Sequence, residues 1–133
     1  MQTSIALISL ALAGFSYGSP TAASKRYVSG SCSMHVTQWQ KNENGVGGSY
    51  EFDIVIKDAI GAIIGGVNRL AIENFSSEGV TSELPYVLVV STGGVDSDPV
   101  QFAYAGGHFS TSDGCSTGGY DSGRRQMDCG FHC

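Results

Sequence analysis

Four cysteines constrain this chain more than any other residues: Cys32 stands near the start of its folded part, and Cys115, Cys129 and Cys133 crowd the last nineteen positions. An even number of cysteines in an exported chain reads most simply as two disulfides. Of the three possible connectivities, every one ties the beginning of the domain to its end. We expect Cys32 to pair with Cys133 or Cys129, leaving Cys115 with the remaining partner. In the chain-entropy model, closing a loop of about 100 residues contributes up to ~4.7 kcal/mol. A structural zinc site is the competing use of such residues, but Cys115, Cys129 and Cys133 lack paired CxxC knuckles, and an oxidising route disfavours free thiolates. No metal and no cofactor is expected.

The export inference rests on the first 26 residues. An apolar run from Ile5 to Phe15 has the length of a signal-peptide core and is too short to span a bilayer. Ser16 and Gly18 supply the small side chains that signal cleavage needs, which places the cut after Gly18. The small, polar stretch from Ser19 to Ser24 then leads to the dibasic pair Lys25-Arg26, a processing site that makes Tyr27 the mature N-terminus. The expected organisation is a signal peptide over 1–18, a short pro-segment over 19–26 and one domain over 27–133.

Removing Lys25 and Arg26 from the seven basic residues leaves five against twelve acidic ones, a formal charge of −7. Affinity for a nucleic-acid backbone or an anionic bilayer requires clustered Lys and Arg. Arg124-Arg125 is too small a cluster, so neither nucleic acid nor membrane is an expected partner. At 107 residues the mature domain is of a size that folds around one core and benefits from covalent support.

Helical periodicity is nearly absent beyond the leader, whereas short alternating blocks recur between Gly, Asn, Asp and Ser breaks. Over Ser49 to Asp58, Tyr50, Phe52, Ile54 and Ile56 share one face, while Glu51, Asp53 and Lys57 share the other. Over Ser31 to Gln40, Cys32, Met34, Val36 and Gln38 oppose Ser33, His35, Thr37 and Trp39. The connection from Asn42 to Gly48 reads as a flexible hairpin tip. Ala62 to Val67 reads as a buried strand that Arg69 to Glu73 continues, with Gly65-Gly66 marking a bulge or close backbone approach. Tyr86 to Thr92 reads as a central strand covered on both faces. Val100 to Ala105 and Arg124 to Phe131 complete six to eight strands. The fold class is all-β, a compact antiparallel β-sandwich or barrel stapled by disulfides.

No motif dictates a reaction: no GxSxG elbow with the strand-to-helix geometry it needs is expected in a chain nearly without helical periodicity, and HExxH, SxxK and phosphate-binding glycine loops are missing from the sequence. His35, Glu51, Arg69 and His108 would supply the inventory for acid–base cleavage of RNA. Size, acidity and Tyr50-Glu51-Phe52 resemble the small acidic two-disulfide ribonucleases of fungi, although the early helix and the cysteine pattern of that family are absent. Asp96-Ser97-Asp98 has alternating carboxylates without the Gly and distal Glu of an EF-hand, and reads as a solvated turn. Asn74-Phe75-Ser76 is an N-glycosylation sequon, marking Asn74 as a candidate modification site on a surface turn. Trp39, on the polar face of its strand beside the hairpin tip, is an aromatic suited to stacking on a sugar ring or anchoring a protein partner.

The whole pattern of leader, dibasic pro-segment and four-cysteine β domain ending Cys129-Gly130-Phe131-His132-Cys133 resembles the small secreted effector and elicitor-like proteins of filamentous fungi. That resemblance implies a monomeric extracellular domain that binds a host or cell-wall component, protein or glycan, without turnover. The candidate surface comprises Trp39, Asn42, Asn44, Tyr120 and Arg124, in the Asn42 to Gly48 loop and the Ser110 to Arg125 segment. A carbohydrate-binding module and a small acidic extracellular ribonuclease are the alternatives.

Overall fold

A computed structural model describes residues 26–133. The expected signal peptide, Gly18, Lys25 and the expected pro-segment before Arg26 lie outside the described residues, and Arg26 is exposed. The described residues form nine strands: β1 (Ser31–Trp39), β2 (Tyr50–Lys57), β3 (Ile63–Ile72), β4 (Ser77–Val80), β5 (Leu88–Ser91), β6 (Gln101–Tyr104), β7 (Gly107–Ser110), β8 (Cys115–Thr117) and β9 (Arg124–His132). A five-stranded sheet has the order β3-β2-β1-β9-β8, and a four-stranded sheet has the order β4-β5-β6-β7. All ladder pairs are antiparallel, giving a sandwich-like arrangement. Among the described residues no helix is long and apolar enough to cross a membrane.

The period-2 pattern determines which face is buried. Met34 and Val36 of β1, Phe52, Ile54 and Ile56 of β2, and Met127 of β9 meet Leu88, Val90 and Phe102 of the other sheet in one core. Away from the hairpin tip, aromatic rings close the core. Phe109 stacks between Phe102 and Phe131 at 5.2 and 5.5 Å between centroids, and Tyr104 meets Phe131 edge-on at 5.4 Å. A groove of about 350 Å³ beside these rings is rimmed by His108 and His132.

β1 and β9 lie side by side in the middle of their sheet, paired from Trp39↔Arg124 to Ser31↔His132. Cys32–Cys133 fastens the end of this pair across a sequence separation of 101, and Cys115–Cys129 joins β8 to β9 across 14. The expected staple from start to end is therefore present, and all four sulfurs are consumed in disulfides.

Gly65 and Gly66 make the close approach their sequence implies. A Cβ on Gly66, at φ +151°, would run into the Ile54 carbonyl, and one on Gly65 would collide with Ser82, where β3 meets the following loop. The β2–β3 register slips between Phe52 and Ile54, so that the bulge falls at Asn68-Arg69.

Three features depart from the expected pattern. β4 and β7 form from short glycine-containing segments, and β8 from Cys115-Ser116-Thr117, because neighbouring strands present open ladders, not because of any alternation of their own. The apolar run from Tyr86 is covered on one face only: Leu88 and Val90 are buried, whereas Tyr86 and Val87 precede the strand and are exposed. The Asn42–Gly48 connection is held by its own turn and by a neighbouring loop, in place of a flexible tip.

Candidate binding surface at the loop end

Strand order sends the connections 40–49, 73–76, 92–100 and 118–123 to one end of the sandwich. The nominated residues Trp39, Asn42, Asn44, Tyr120 and Arg124 all gather there, although more than eighty positions separate the first from the last.

Trp39 is half-buried on the outer face of the five-stranded sheet. Its indole Nε1–H donates to Asp53 Oδ2 at 2.8 Å, and the Arg69 amide donates to Asp53 Oδ1 at 2.7 Å. Arg69 adopts φ +52°, a left-handed conformation made necessary by the β2–β3 bulge. The bulge re-aims its side chain. The guanidinium carbon of Arg69 lies 3.9 Å from the Trp39 ring centroid, and that of Arg124, paired directly with Trp39, lies 5.2 Å away. Arg69 Nη1 also donates to Glu51 Oε1 at 3.0 Å and to the Asn44 carbonyl at 3.2 Å. The indole is thus a platform for cations belonging to the protein itself, and guanidinium edges define the surface above it.

The hairpin tip is built to a fixed shape. Asn42, Asn44 and Gly45 take φ of +61°, +55° and +84°, conformations that Asn and Gly tolerate best. The Asn42 amide donates to the Gly47 carbonyl and the Val46 amide to that of Glu43, while the Val46 side chain is buried. Asn44 Nδ2 donates to the Ser122 carbonyl at 3.0 Å, and the Gln40 amide donates to the Gly123 carbonyl at 2.8 Å. Gly123, at φ +82°, faces the Asn44 amide so closely that a Cβ has no room.

Asp96 joins the third loop to the other two. Its carboxylate accepts the Tyr50 hydroxyl at 2.8 Å and Gln40 Nε2 at 2.6 Å, and its carbonyl accepts the Tyr120 hydroxyl at 3.0 Å. Arg125 donates through Nε to the buried Gln38 Oε1 at 2.8 Å, and its guanidinium carbon lies 4.7 Å from the Tyr120 ring centroid. Burial, more than any neighbouring charge, pushes the Tyr120 phenol up to about 12 and raises that of Tyr50 further, so both remain protonated donors. The Asp98 carboxylate accepts the Gly94 and Val95 amides, which hold it below its ordinary range. Asp96-Ser97-Asp98 is a turn with Asp96 and Ser97 exposed, as its sequence implies, and its two carboxylates also organise the neighbouring loops. Lys41, Arg69, Arg124 and Arg125, four of the five basic residues after Arg26, lie at this end among Glu51, Asp53, Asp96 and Asp98.

The ribonuclease inventory is divided between the sheets. Glu51 and Arg69 pair at the loop end, whereas His35 is four residues down β1 from Trp39, roughly 13 Å at the rise of a strand. His108 belongs to β7 in the other sheet. His35 Nδ1–H donates to Asp128 Oδ1 and Nε2–H to Gln126 Oε1, both at 2.7 Å. The hydrogen bond donated to Asp128 is the main cause that lifts this imidazole above its ordinary value. Asn74 is exposed in the turn between β3 and β4, as its sequon implies.

Sequence reading missed Asp96 and Asp53 as organisers of this surface, and valued Arg69 only for catalysis. Asp53 and Arg69 meet through a bulge that adjacent glycines foreshadow, but Asp96 has no local signal for its partners. No family model, curated protein or solved structure matches the chain. Functional inference therefore comes from this arrangement alone.

Proposed function

We propose that the chain is a secreted, non-enzymatic effector or elicitor-like domain that recognises a host or cell-wall component through the loop end of its sandwich. The single observation that carries this reading is the fixing of three loops to one another. Asn44–Ser122, Gln40–Asp96 and Tyr120–Asp96 contacts hold them, and Arg69 and Arg124 edge the surface they make. Polar groups held in place before binding lose little conformational entropy on association, and Trp and Arg are the residue types that most often carry binding energy. The two disulfides are compatible with an extracellular setting, to which the leader also points.

The test uses purified fluorescent protein applied to intact host cells and to isolated cell walls. Asn44→Ala and Arg124→Glu are expected to abolish saturable binding, while His35→Ala, on the same sheet but away from the loops, retains it. Saturable binding that survives both loop-end changes would remove the surface from consideration.

A further inference from the structure

We infer that the outer face of the four-stranded sheet is a second binding site, a trough for an extended, neutral glycan chain. The register aligns Ser77, Ser91, Gln101 and Ser110 across all four strands. Four hydroxyl or amide side chains thus form one row spanning three inter-strand steps of about 4.8 Å, about 14 Å in all. That spacing is of the order of a single hexopyranose unit, so the row offers a repeated polar contact to a chain laid across the strands. Ser77 and Ser91 already hydrogen-bond through their hydroxyls at 2.6 Å, leaving lone pairs and a proton to share with a ligand. The adjacent row runs Gly79, Val89, Ala103 and His108; its first three side chains keep the floor low, and His108 stands at its β7 end.

Two depressions, of about 460 and 190 Å³, meet at Gln101 along this row. Phe75 stands at the far end of the larger one, with 80% of its surface exposed. Its backbone has φ +58°, an outlier for a bulky residue that carries a strain cost. Burial does not offset that cost, because the ring sits outside the core. It rests on the backbone of Gly94, where a Cβ would come within 2.8 Å of Cζ. A fixed, open aromatic face beside hydroxyl and amide groups is the pairing that receives the C–H face and the hydroxyls of a sugar ring.

Charge decides which glycan. Neither depression is lined by Lys or Arg, whereas Asp98 contributes to one and Asp113 to the other. A uronate or sulfated chain would meet repulsion, and a neutral chain would not. The trough borders the loop end at Phe75, Gly93 and Asp98, but it includes neither Asn44 nor Arg124, so the two readings are tested by different substitutions.

The experiment is affinity electrophoresis of the full secreted protein, freed enzymatically of any Asn74-linked glycan. Native gels contain hydroxyethylcellulose, xylan, galactomannan or glycol chitin, with polygalacturonate as the anionic comparison. Retardation by at least one neutral polymer is expected, with apparent affinity at least tenfold weaker in both Phe75→Ala and Gln101→Ala and unchanged in His35→Ala. Both substituted side chains are exposed, and an intact mass showing two disulfides together with an unchanged circular dichroism spectrum establishes that each variant is folded. Absence of retardation by every neutral polymer, retardation unaltered in both trough variants, or strongest retardation by polygalacturonate would overturn the inference.

Discussion

Removing the two disulfides separately should produce unequal losses of stability, and the inequality can be calculated from the topology. Cys32–Cys133 closes a separation of 101 residues and Cys115–Cys129 one of 14. Loop-closure entropy gives about 4.7 kcal/mol for the first and about 3 kcal/mol for the second. Packing losses nearly cancel in the comparison, because each bridge has one buried partner, Cys32 or Cys129, and one partly exposed partner. At about 2.1 cal/mol/K per residue, a domain of this size has an unfolding entropy of about 0.22 kcal/mol/K. The paired change Cys32→Ala with Cys133→Ala should therefore lower Tm by about 20 °C, and Cys115→Ala with Cys129→Ala by about 13 °C. Thermal scans followed by near-ultraviolet circular dichroism, alongside urea titration, would measure both. If the short-loop variant loses as much as the long-loop variant, constraint of the unfolded chain is not what these bridges contribute.

Gly66→Ala should destabilise by about 2–3 kcal/mol in urea titration, since the new methyl group enters the space of the Ile54 carbonyl; a change below about 0.5 kcal/mol would contradict the close approach. Phe102→Ala should cost about 3–5 kcal/mol by the same method, as it removes a buried ring shared by both sheets. The raised His35 value means that its bond to Asp128 stabilises the fold fully below the unfolded-state value of 6.5 and is lost as pH rises through the higher folded value; Asp128→Asn should move the NMR-detected imidazole titration downward, and an unmoved midpoint would break the assignment. Asp58 accepts the Val28, Ile60 and Ala62 amides and is held below its ordinary value, so its contribution is present at neutral pH and falls away as acid protonates it in the folded state. Asp58→Asn should flatten the acid limb of the stability profile, and an unchanged limb would exclude that source.

The long strands were legible because their chemistry repeats along the chain. Tyr50, Phe52, Ile54 and Ile56 alternate with Glu51, Asp53 and Lys57, Val55 being the exception, and a strand buried on one face needs no other signal. Ser77–Val80 and Gly107–Ser110 carry no such repeat, and only the ladder offered by β5 and β6 makes them strands. The same division separates the two sites. Trp39, Asn42 and Asn44 are close in sequence to a glycine-rich turn and could be nominated from it. Asp96 meets Tyr50 and Tyr120 only after folding, and the row from Ser77 to Ser110 exists only as a product of register. Phe75 looked like the unremarked middle residue of a sequon, since its exposure and left-handed backbone are invisible to composition.

The adjacency of β1 and β9 also fixes an order of events during biosynthesis. Cys32 leaves the ribosome 101 positions ahead of Cys133. At ~5–20 residues per second, the first strand waits roughly 5–20 s for the neighbour that completes the centre of its sheet. During that interval β1 to β3 can form hairpins, but one margin of β1 keeps its unpaired amides and carbonyls. Non-local pairing of this kind closes slowly. A chain with this connectivity therefore cannot complete the centre of its larger sheet until nearly all of it has been made, and in that interval the open margin of its first strand is a template for pairing with other chains.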